Sequence, residues 1–145
     1  WAWGSNDSSQ LGDGTNAHKG VPIQIGSSTN WSAIVGGDYH TVALKSDGTL
    51  WAWGFNGSGR LGDGTNDSMY APTRIGSDTN WSAISTGVNH TVALKSDGTI
   101  WAWGNNESGQ LGDGTYSSKL TPTQIGSDTD WVAITAGAYH TIGLK

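Results

Sequence analysis

The chain repeats itself every 50 residues without a gap. Trp1, Trp51 and Trp101 align, as do Trp3, Trp53 and Trp103, then Trp31, Trp81 and Trp131, and finally His40, His90 and His140. A fixed period constrains the fold more than any local propensity does. Each unit is one supersecondary element that cannot bury its apolar surface alone and must stack on copies of itself. The units are compositionally diverse, so the period is structural and not low complexity. The 145 residues include 23 Gly and 9 Trp, with 34% hydrophobic and 13% charged residues. Gly disfavours helix by about 1 kcal/mol relative to Ala and suits turns, whereas Trp fills the space between layers. The reading is all-β.

Four short segments per unit carry β-favouring residues between turn signals. In the best-defined unit they are "NWSAISTG" (80–87), "HTVALK" (90–95), "TIWAWG" (99–104) and a weaker one near "PTQIGS" (122–127), with Pro122 at its start. The "SDG" between the second and third is a tight hairpin signal, because Gly48 and Gly98 accept the positive φ that such turns need. A Gly-rich connection, "NNESGQLGDGT", joins the third to the fourth. The sheet is apolar on both faces: Trp101 and Trp103 project to one side, Ile100 and Ala102 to the other. Such a sheet needs a neighbour on each side, and radial stacking of four-stranded meanders supplies it. The fold class is therefore a β-propeller, its blades made of four antiparallel strands, with three blades' worth per chain.

The pattern "GxxHTxALxSDGTxWAWGxNxSGQLGDGT", read across the units, resembles the repeat of the regulator-of-chromosome-condensation family. The resemblance covers the whole chain. It implies β-propellers, typically of seven blades, that present their faces to protein partners such as a small GTPase, chromatin or, in one bacterial branch, β-lactamases. Three units stand here where about seven are expected.

Net charge is −5, from 7 basic and 12 acidic residues, and no basic cluster marks a nucleic-acid footprint. No apolar run approaches the roughly 20 residues of a membrane span. Cysteine is absent, which excludes disulfides and thiolate metal sites.

His40, His90 and His140 occupy one place in every unit, as a blade requirement predicts; an active site needs one special copy with a nucleophile or carboxylate beside it. They are read as structural, and neither a metal nor another cofactor is expected. Trp residues inside strands are read as inter-blade filling, with a carbohydrate-stacking platform as the alternative. The "LGDGTN" segments lack the ligand set of a calcium loop, so Asp13, Asp63 and Asp113 are expected to accept backbone N–H bonds within turns. "NDS" (6–8) and "NES" (106–108) are formal glycosylation sequons.

Specificity must come from what differs between units. Phe55, Arg60, Met69, Tyr70 and Tyr116 are the most interface-like variable residues. The functional expectation is a non-enzymatic scaffold that binds another protein; the alternative is a carbohydrate-binding propeller. The units divide into a half-blade at 1–30, blades at 31–80 and 81–130, and a complementary half-blade at 131–145. Because three blades are too few to close a ring, closure is expected between chains. The strand containing Trp1, Ala2 and Trp3 would meet the one containing His140, Thr141, Ile142 and Leu144. A homodimer then has six blades and a homotrimer nine.

Overall fold

The computed structural model describes residues 1–145. Twelve strands follow in order: β1 (Ala2–Gly4), β2 (Lys19–Ile23), β3 (Trp31–Gly36), β4 (His40–Lys45), β5 (Leu50–Gly54), β6 (Met69–Arg74), β7 (Trp81–Thr86), β8 (His90–Lys95), β9 (Ile100–Gly104), β10 (Lys119–Gln124), β11 (Ala133–Ala136) and β12 (Thr141–Leu144). They form two four-stranded antiparallel meanders, β3-β4-β5-β6 and β7-β8-β9-β10, flanked by two-stranded sheets, β1-β2 and β11-β12.

The central hairpins follow from local chemistry. Gly48 and Gly98 hold φ of 74° and 79°, and each turn is tied by an Asp carboxylate that accepts the Thr N–H two residues on (Asp47–Thr49 and Asp97–Thr99, both 3.0 Å). Register runs unbroken from His90↔Gly104 to Leu94↔Ile100, matching His40↔Gly54 to Leu44↔Leu50 in the preceding sheet. The first strand bulges between Trp81 and Ala83.

The fourth strand differs from its sequence expectation. It begins at Lys119, not at Pro122, and Pro122 lies inside it. The ladder breaks between Lys119 and Thr123, so the missing proline N–H falls in an irregular stretch of an edge strand, where it costs least.

The second meander is buried on both faces, as the alternation requires. Val42, Leu44, Leu50 and Ala52 of one meander pack against Trp81, Ala93 and Trp103 of the next. The opposite face of that second meander, with Val92, Leu94, Ile100 and Ala102, receives Trp131, Ile134 and Ala136. Trp81 packs against Trp101 edge-on, with ring centroids 5.9 Å apart, and Lys95 Nζ sits 3.8 Å from the Trp101 centroid, an arrangement that favours the cation electrostatically. Trp53, Trp81 and Trp103 are thus buried between the sheets, whereas Trp1 and Trp3 are exposed.

Candidate functional site

Each unit is locked to the next by one recurring set of bonds. His40 Nε2 lies 3.2 Å from Thr91 Oγ1, and His90 Nε2 lies 3.1 Å from Thr141 Oγ1. Thr91 donates its own proton to the Arg60 carbonyl at 2.8 Å, so its oxygen accepts from His40, which fixes the proton on Nε2. The Nδ1 atoms of His40 and His90 are buried without a partner. A second proton would have to sit there. Burial, followed by the Arg60 and His90 charges, lowers the His40 pKa to about 3; burial and then His140 lower that of His90 to about 4. Both imidazoles are neutral hydrogen-bond donors, in keeping with the structural reading. Alongside them, Trp53 and Trp103 donate through Nε1 to the carbonyls of Gln10 and Arg60, at 2.9 and 3.0 Å.

The same positions are open in the flanking half-sheets. Trp3 is 61% exposed, against 4% for Trp53 and 0% for Trp103. Leu144 is 60% exposed, against 2% for Leu44 and 4% for Leu94. His140 is exposed where His40 and His90 are fully buried. Of the residues expected at the closing edges, Trp1, Trp3, His140, Ile142 and Leu144 are exposed, and Ala2 and Thr141 are half-buried.

The five variable candidates gather at one end of the sheets, the end that carries the β3–β4 and β5–β6 connections: Phe55 N–H donates to the Tyr39 carbonyl there, and Met69 pairs with Gly54. They differ in accessibility. Phe55, Tyr70 and Tyr116 are exposed. Arg60 is only 4% exposed, contrary to a surface reading. It stacks under Phe55 at 4.8 Å and spends Nε and Nη1 on the carbonyls of Gly57 and Val88, at 3.0 and 3.2 Å. Met69 is half-buried against the core. It replaces the lysine that elsewhere pairs with the loop aspartate, as in Lys19–Asp13 and Lys119–Asp113, both 3.0 Å. Exposed Tyr39 and Tyr139 join this end and were not singled out from sequence, although both stand in the variable segment before the His.

The long loops are organised around a buried asparagine. Asn106 Oδ1 accepts the Leu111 N–H at 2.9 Å, while Nδ2 donates to Asp113 Oδ1 and the Thr115 carbonyl, both at 3.0 Å. Asn6 and Asn56 do the same in their units. Asp13, Asp63 and Asp113 accept the backbone N–H two residues on, as expected. Burial opposes ionisation of Asp13 and Asp113 most strongly, yet their bonds to lysine, threonine and asparagine hold both carboxyls well below the usual carboxylate range. The sequon residues Asn6 and Asn106 are fully buried with Nδ2 committed, which removes them as glycan acceptors in the folded chain. No three His, Asp or Glu side chains converge in a metal-binding geometry.

Comparison with known proteins places this geometry. The model of the regulator of chromosome condensation (RCC1) repeat matches residues 1–44, 47–94 and 97–144, and a second model of that repeat matches 31–60 and 81–110. No curated protein matches the chain in sequence. Among solved structures, Prp20p from Saccharomyces cerevisiae, described with its binding to Gsp1p and histones, is similar with a TM-score of 0.88 at 20% identity, over 97% of this chain and 38% of that one. Human WBSCR16 is similar with a TM-score of 0.84 at 26% identity, over 98% of this chain and 38% of that one. Yeast RCC1 (Prp20) in complex with Kap60 gives 0.88 at 20% identity, over 97% and 37%. The chain thus spans less than two fifths of each of these proteins. With three consecutive repeat matches and the propeller fold, the chain belongs to the regulator of chromosome condensation (RCC1) repeat family.

Proposed function

We propose that the chain is a non-enzymatic propeller scaffold that binds another protein, and that its ring is closed between copies by pairing of the two half-blades. The observation that carries the closure is the contrast in exposure between equivalent residues, with Trp3 and Leu144 open where Trp53, Trp103, Leu44 and Leu94 are covered. Open apolar sheet edges are templates for strand addition. The protein-binding part rests on the aromatic long-loop end, with Phe55, Tyr39, Tyr116 and Tyr139 exposed on a rigid frame. It also rests on the kinship with Prp20p, which binds proteins. A heterologous contact repeated by rotation gives blades in multiples of three. Two copies make six blades, the number nearest the family's usual seven, and three copies make nine.

Native mass spectrometry at micromolar concentration tests the closure, with the dimer mass expected; a folded monomer would refute it. A glycan array that stays blank under labelled protein agrees with the scaffold reading, and stoichiometric binding of a sugar would replace it with the carbohydrate-binding one.

A further inference from the structure

Every contact that joins one unit to the next recurs with the period, and at the ends of the chain half of each contact stands alone. A Cβ on Gly12 or Gly62 would lie 2.6 Å from the indole nitrogen of Trp53 or Trp103, whereas one on Gly112 would meet only Ile125, at 3.6 Å. A Cβ on Gly54 or Gly104 would lie 2.8 Å from the Cα of His40 or His90, whereas one on Gly4 would meet nothing within 4 Å. Glycine is thus kept at positions whose close neighbour is missing. The polar half-contacts behave alike. The Gln110 carbonyl accepts from Thr141 but from no tryptophan, where the carbonyls of Gln10 and Arg60 accept from both residue types. Thr41 receives no histidine, and His140 reaches no threonine. Advancing the pattern by one unit calls for a Trp at the place of Trp3, a Gly at the place of Gly4 and a Thr at the place of Thr41. What one end lacks, the other end holds.

The space matches as well. β11 lies against β7 and β8, and β7 lies against β3 and β4. In the corresponding position against β3 there is a cleft of about 740 Å³, bounded by Trp1, Trp3, Ile34 and Trp53.

Resting on the closure reading above, we propose that this cleft receives the 131–145 hairpin of a second copy in one defined register: His140 opposite Gly4, Thr141 opposite Trp3, Ile142 opposite Ala2 and Gly143 opposite Trp1. The register is that of His90↔Gly104 through Ala93↔Trp101 carried forward one unit. In this junction the Trp3 indole beside the cleft seats on Gly112 of the second copy and donates to its Gln110 carbonyl, and His140 of the second copy donates to Thr41 beside the cleft. The occupant is a second copy and not a generic apolar strand, because only this repeat brings the indole, the imidazole and the glycine to those places together.

Two glycines make the test selective. Gly112 and Gly114 both hold positive φ, 75° and 78°, and in the isolated chain a Cβ has ordinary or open space at each. Backbone strain from alanine is therefore the same at both, but only Gly112→Ala collides with the incoming Trp3. The 145-residue chain is examined by native mass spectrometry and circular dichroism. The expected result is an assembled wild type, an assembled Gly114→Ala and a folded, monomeric Gly112→Ala. Trp3→Phe, which keeps an aromatic ring but loses the N–H and part of the indole's bulk, should weaken each junction by at least about 2- to 10-fold. Register is read independently by oxidising Ala2→Cys/Ile142→Cys, expected to cross-link copies, against Trp1→Cys/Ile142→Cys, shifted by one residue onto the other face and expected not to. An assembled wild type in which Gly112→Ala also assembles, or in which the shifted pair cross-links instead, overturns the register while leaving closure between copies standing. A wild type that stays monomeric overturns both.

Discussion

Acid should unfold this protein through its buried histidines, in a pH window where its carboxylates are still silent. His40 and His90 are fully buried, each with Nε2 donating to a threonine and Nδ1 facing no partner. Their folded pKa values are about 3 and about 4, against 6.5 for the free side chain. Because the folded values are depressed, the unfolded chain binds the extra protons. Stability is complete above pH 6.5 and falls as pH drops toward the folded values. At pH 4.5 the unfolded histidines lie two units below their own pKa, and each site costs about 2–3 kcal/mol at 1.36 kcal/mol per unit. The two together remove about 5 kcal/mol from a total stability that is typically about 5–15 kcal/mol. Asp47 and Asp97, whose pKa values are lowered by bonds to Thr49 and Thr99, add to this only below about pH 4, where the unfolded carboxylates begin to protonate. Urea unfolding followed by tryptophan fluorescence at pH 7.5, 6.0 and 4.5 measures the effect. The double variant His40→Gln/His90→Gln should be less stable at pH 7.5 but nearly flat across the range. A wild-type stability unchanged between pH 7.5 and 4.5 would refute the assignment of these imidazoles as neutral, enclosed donors.

Gly98→Ala should cost about 2–5 kcal/mol, from strain at positive φ and from a Cβ forced onto the Thr129 backbone carbonyl, whose carbon lies 2.7 Å away. Gly126→Ala, with φ of 66° and nothing within 4 Å, should cost only about 1–2 kcal/mol, and equal urea midpoints for the two would remove the turn packing from the account. Asn106→Ala should cost about 2–3 kcal/mol, because the buried Leu111 N–H loses its acceptor. Limited proteolysis should then cut within 105–118 first, and a loop as resistant as wild type would show that the asparagine does not organise it.

Much of this architecture is written locally. The period, the second and third strands and the Asp-Gly turns between them are legible because each depends on a few adjacent residues: alternation about Trp101 and Trp103, an Asx turn at Asp97, a glycine free to take positive φ at Gly98. The candidate site was legible only in outline. Variability between units drew attention to Phe55 and Arg60, and the structure brings them together, but it buries Arg60. That burial depends on the Val88 carbonyl of the next sheet, which no local pattern announces. The fourth strand likewise starts three residues before Pro122 because pairing with Gly104, and not the proline, sets its beginning. Met69, interface-like by residue type, is half-buried because it packs against the core cluster. Sequence alone determined the repeating unit, since strands, turns and apolar faces arise from interactions among neighbours in the chain. Tertiary structure alone decided which residues are covered: two identical side chains, Trp3 and Trp103, differ from open to fully buried according to whether another sheet stands beside them.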